Sequence, residues 1–115
     1  MRTSFRILIL DKSRNKVDEN IIQDKNLARA IKYIHKSQYI EASKWLFLAS
    51  DSKEKYILLS LINFTLKQHE QALSYIEIAS ALSYNFKDVF DIYIQKPGES
   101  LEPGEEFIKG YFLFS

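Results

Sequence analysis

Between residues 23 and 82, apolar side chains recur every three to four positions and are interrupted by short polar stretches. That period predicts four helices in two consecutive pairs. Leu27, Ala28, Ile31 and Ile34 place a helix over Ile21–Lys36, with Asp18 or Asn20 as its cap and Val17 as a staple partner. After the tight connection Ser37-Gln38, a second helix runs over about Tyr39–Ser50, with Ala42, Trp45, Leu46 and Ala49 on its inner side. Asp51 or Ser52 starts a third, reaching about Lys67, in which Ile57, Leu58, Leu59, Leu61, Ile62 and Phe64 leave almost no polar face. Such a helix is covered on both sides or offers one side to a partner. The fourth covers about Glu70–Leu82, closed by Ser83-Tyr84-Asn85.

The two ends of the chain follow a different pattern. Residues 4–10 are apolar and β-branched over too short a run for a packed helix, which predicts a buried strand. Pro97-Gly98 and Pro103-Gly104 separate two aromatic and β-branched segments, 89–95 and 107–114. Gly110 would cost a helix about 1 kcal/mol relative to alanine, so two further strands are expected there. The alternative is a degraded third helix pair, with Pro103 in the first turn of its second helix and Phe107, Ile108, Tyr111 and Phe112 on one face. The expected fold is mainly α (α+β): two antiparallel helix hairpins with short terminal strands, or else all-α. It is read as one domain over 1–115, with a helical core at 18–85 and terminal segments at 1–17 and 86–115.

The two helix pairs also repeat one another. Ala30, Tyr33, Tyr39, Ala42, Leu46 and Ala49 stand 30 residues before Ser60, Asn63, His69, Ala72, Ile76 and Ala79, position for position. Small residues recur where neighbouring helices must approach closely, and large ones where a helix face fills the gap. In this the stretch resembles the tetratricopeptide-repeat superfamily, with a period shorter than that family's ~34 residues and with Ser60 and Asn63 at two signature positions. The resemblance implies stacked hairpins that hold a partner peptide or helix in a groove lined by the first helix of each pair. Carried onto this chain, that lining is Leu27, Ile31, Ile34 and His35 from the first pair and Ile57, Leu61 and Phe64 from the second. Its apolar character suits an amphipathic helix. The alternative is that the chain's own terminal segments cover these side chains.

Composition narrows the function classes. The formal charge of +1 is unevenly distributed: residues 1–60 carry 12 basic and 7 acidic side chains, and residues 61–115 carry 4 and 8. The basic set Arg2, Arg6, Lys12, Arg14, Lys16, Lys25, Arg29, Lys32 and Lys36 leaves a backbone contact with nucleic acid as the alternative function. A helix-turn-helix reader is disfavoured because Tyr39–Ser50 offers only Lys44. There is no cysteine, hence no thiolate chemistry or disulfide, in keeping with a reducing, cytoplasmic setting. No apolar run approaches the ~20 residues that span a bilayer. His35 and His69 lack metal-site spacing, and Glu99, Glu102, Glu105 and Glu106 read as a solvated loop. No catalytic residues, metal or cofactor are expected. The reading is a non-enzymatic interaction module, a small chaperone or adaptor, with a protein partner or a second copy of itself.

Overall fold

The computed structural model describes residues 4–82 and 89–112. Strand β1 (Arg6–Leu10) is followed by a single 3-10 turn (Glu19–Ile21) and four helices: α1 (Lys25–His35), α2 (Tyr39–Leu48), α3 (Lys53–Thr65) and α4 (His69–Ala81). Strands β2 (Asp91–Gln95) and β3 (Glu102–Pro103) and helix α5 (Gly104–Phe112) complete the chain. The fold is mainly helical, as two antiparallel hairpins with a small sheet formed by the chain ends. Among the described residues no helix is long and apolar enough to cross a membrane. The closing turn expected at Ser83-Tyr84-Asn85 lies outside the described residues.

The duplication holds at the level of the backbone. Each hairpin turns on one non-glycine residue in the left-handed region, Ser37 at φ 57° and Lys67 at φ 62°. Each continues through a glutamine of nearly the same conformation, Gln38 and Gln68. The N–H of Gln38 donates to the Tyr33 carbonyl at 2.9 Å, and that of Gln68 to the Asn63 carbonyl at 2.8 Å. The small residues Ala30, Ala42 and Ala72 are completely buried, as is Ser60. A buried hydroxyl left unsatisfied would cost about 1–3 kcal/mol; Ser60 avoids this by donating to the Ala72 carbonyl at 2.6 Å, across the contact between α3 and α4.

The first helix starts later than its pattern suggested. Asp18 caps only the 3-10 turn, and Asp24 caps α1 by accepting from the N–H groups of Asn26 and Leu27 at 3.0 and 3.2 Å. Ser52 starts α3 by accepting from the Lys55 N–H at 3.1 Å.

The sheet is antiparallel in the order β1-β2-β3, with Ile7 opposite Ile94 and Ile9 opposite Ile92. Those four isoleucines form its inner face, and all are buried. The strands expected at 4–10 and 89–95 are therefore present. The strand expected over 107–114 is not: Gly104–Phe112 is helical, as the alternative had it for this segment alone, with Pro103 in β3 just before the helix rather than in its first turn, and residues 113–115 lie outside the described part. Gly110 costs that helix about 1 kcal/mol, but its Cβ position is open, and complete burial of Ile108 contributes about 1.5–3 kcal/mol. Phe107, Tyr111 and Phe112 then close around Phe64 at ring-centroid distances of 5.6, 4.7 and 6.0 Å.

The glycines of α5 yield opposite predictions. A Cβ on Gly104 would stand 2.8 Å from Leu61 Cδ1 and 3.1 Å from Ile92 Cγ2. Gly104→Ala is expected to destabilise by about 1–3 kcal/mol through overpacking. Gly110→Ala, facing open space within a helix, should stabilise by up to about 1 kcal/mol. Urea denaturation of both variants reads the two signs.

Candidate interaction surface

The seven residues expected to line an open groove are gathered on one side of the hairpins, but that side is filled. Leu27, Ile31, Ile34, Ile57, Leu61 and Phe64 are each no more than 4 % exposed. Phe5, just before β1, stacks on Phe64 with centroids 5.8 Å apart, and Phe107 of α5 packs on both rings. Leu61 and Ile92 both border Gly104. The β1 backbone is tied to the first hairpin by Ile7 N–H, which donates to the Tyr39 hydroxyl at 3.2 Å. The groove expectation is thus corrected in favour of its alternative: the terminal segments occupy the trough, because four isoleucines and the aromatic face of α5 bury more apolar surface there than water would allow them to leave exposed.

His35 is the remaining member of that set, and it lies at the margin of the core. Its side chain is 13 % exposed, with Nδ1 3.9 Å from Glu19 Oε2 and a buried Nε2 left without a well-formed hydrogen bond among the described residues. Burial pushes its pKa below the ordinary 6.5; Glu19 opposes this and Lys16 adds to it. Among the expected acidic group, Glu105 is held between Lys109 at 2.7 Å and Lys53 at 3.5 Å, joining α5 to the start of α3. Burial raises its pKa, but the two ammonium groups outweigh that and hold it low. Trp45, expected in the core, is only partly buried, with the Arg29 guanidinium 4.7 Å over its ring.

Of the exposed large apolar side chains, Ile40, Phe47 and Leu48 lie on α2 and Ile78 on α4, while Ile21, Leu66 and Tyr111 lie outside those two helices. Four consecutive apolar residues, Trp45-Leu46-Phe47-Leu48, cannot all face inward from one helix. Leu46 is buried, whereas Phe47 and Leu48 are 56 % and 64 % exposed. Ile78 of α4, which stands in the second repeat where Leu48 stands in the first, is 42 % exposed. Phe47 meets Tyr75 of α4 at 6.4 Å, and Tyr75 meets Tyr56 of α3 at 6.1 Å. The Phe47–Tyr75 contact thus joins α2 to α4, and Leu48 and Ile78 add exposed apolar side chains at equivalent positions of the same two helices. The sequence carried one signal of this exposure, an apolar run too long for a single helix face.

Two polar latches hold the end of α2. Asp24 caps α1 and also accepts from the Ser50 N–H at 2.8 Å, fixing the end of α2 to the start of α1. Lys55, almost fully buried, donates to the Ala49 carbonyl at 2.8 Å and to Asp51 Oδ1 at 3.2 Å. It thereby places a cation at the negative end of α2. Comparison of the chain with protein-family profiles, characterised proteins and solved structures found no match.

The Asp24 latch makes stability pH-dependent. Burial raises the Asp24 pKa, but the backbone donors Ser50, Leu27 and Asn26 outweigh it and hold it below the ordinary 3.8. A depressed folded-state pKa means that the contribution is complete above 3.8 and is lost as pH falls through the lower folded value. Asp24→Ala should cost about 0.5–2 kcal/mol at neutral pH, the loss of a cap. In urea melts from pH 7 down to 2.5, the gap between wild type and variant should narrow only at the acid end.

Proposed function

We propose that the protein is a non-catalytic interaction module of tetratricopeptide-like design, a small adaptor or chaperone of the cytoplasm, and that it engages protein through its outer rather than its inner face. The observation that carries this reading is the exposed apolar set Phe47, Leu48 and Ile78 on α2 and α4, bridged by the contact of Phe47 with Tyr75. Exposed apolar patches of this kind mark interaction sites. The groove between two neighbouring helices suits an apolar partner segment or the same face of a second copy. The duplicated turns at Ser37 and Lys67 support the repeat design, because they set both hairpins at the same pitch and bring equivalent positions side by side.

The double variant Phe47→Glu/Ile78→Glu tests this. Both side chains point to water, so its circular dichroism and urea midpoint should stay close to wild type. Partners captured by the wild-type protein, or its concentration-dependent self-association in sedimentation, should be abolished. Capture of the same proteins and an unchanged sedimentation profile would overturn the reading.

A further inference from the structure

The repeat allows each α1 position to be compared with its copy in α3. On α3 the stripe Lys55, Leu59, Ile62, Leu66 faces the preceding hairpin. Lys55 reaches the end of α2, Leu59 and Ile62 are buried, and Leu66 borders the turn formed by Ser37, Gln38 and Tyr39. Thirty residues earlier, the same stripe on α1 reads Lys25, Arg29, Lys32, Lys36, and all four are exposed. Among the described residues no hairpin packs against this stripe, so solvent exposure accounts for its polar character. Solubility alone, however, would be met by mixed charges. Here all four are cations, and Lys25–Lys36 contains no acidic residue.

The charge is only lightly offset. Among the described residues, Lys25, Lys32 and Lys36 take part in no ion pair, whereas other exposed lysines such as Lys12 and Lys44 do. Glu19, the acidic side chain that borders the same depression as Lys25, Arg29 and Lys32, lies beside His35. Successive cations are three or four residues apart, about 5–6 Å between Cβ atoms, and the row extends about 16 Å along the helix. Arg29 is held in place against Trp45.

We propose that this face of α1 binds the phosphodiester backbone of a single-stranded nucleic acid, independently of base sequence and of the exposed apolar side chains on α2 and α4. The spacing sets one cation against each of several successive phosphates along a strand. Three of the four are lysines, which bind phosphate as compact point charges without a fixed geometry, in keeping with contacts that do not depend on base sequence. A membrane surface is a poorer fit, because every apolar residue of α1 except the half-buried Tyr33 is buried, leaving none to enter a bilayer.

Fluorescence anisotropy with a labelled single-stranded oligonucleotide, from about 50 to 200 mM salt, tests the proposal. Wild type should bind with an affinity that falls steeply with salt. Lys32→Glu/Lys36→Glu should weaken binding by at least about tenfold and flatten the log–log salt slope by about 1.4, two contacts at ~0.7 each. Lys44→Glu/Lys67→Glu, which changes net charge equally on another surface, should stay within about twofold of wild type on this account of localised contacts. No binding by wild type, equal loss in both variants, or equally effective competition by polyglutamate would overturn the proposal.

Discussion

Ile7 lies opposite Ile94 and Ile9 opposite Ile92, so that the two ends of the chain meet on one side of the helices. Much of the remaining structure depends on that pairing. Without β2, most of the β1 backbone would go unpaired, although the Tyr39 hydroxyl accepts from the Ile7 N–H and the Val17 N–H donates to the Ile9 carbonyl. Without the sheet, Leu27, Ile31, Leu61 and Phe64 would border water. The cost of ordering two strands and α5 is offset because each brings large apolar side chains to a surface already prepared by the hairpins.

The hairpins are held together by complementary means. Alanine at positions 42 and 72 lets helices approach, while Ser60 adds a hydrogen bond to the carbonyl at the same point. Polar groups work at the junctions rather than in the trough. Asp24 joins the start of one helix to the end of the next, and Lys55 satisfies a buried carbonyl at the end of α2 with its ammonium. Both joints lie between elements that the repeat alone would leave loosely connected.

The hairpins were legible in the sequence because Ala42 and Ala72, with their neighbours at matched offsets, obey one period over sixty residues. The segment after Pro103 was harder. Phe107, Ile108, Tyr111 and Phe112 suit a helix face, but the same aromatic run also suits a strand. The choice is made by long-range fit, since Gly104 leaves room for Leu61 and Ile92 only at a close helix start. Whether the trough is open could not be read at all: Leu27 or Phe64 is equally apolar whether its cover is a partner or the same chain. The run Trp45–Leu48 shows that some apolar side chain must face outward, but period alone does not say that it is Phe47 and Leu48. The stripe on α1 takes its meaning only once its copy on α3 is seen to be buried.

The lateness of that cover has a consequence for synthesis. β1 leaves the ribosome ahead of both hairpins, yet Asp91–Gln95 follows only after they have been made. Until then the nascent hairpins carry a sticky apolar channel and an unmated β-edge, and the final closure is a slow, non-local step. The interval between the second hairpin and α5 is therefore when this chain is most exposed to aggregation, and when a ribosome-associated chaperone has the most to shield.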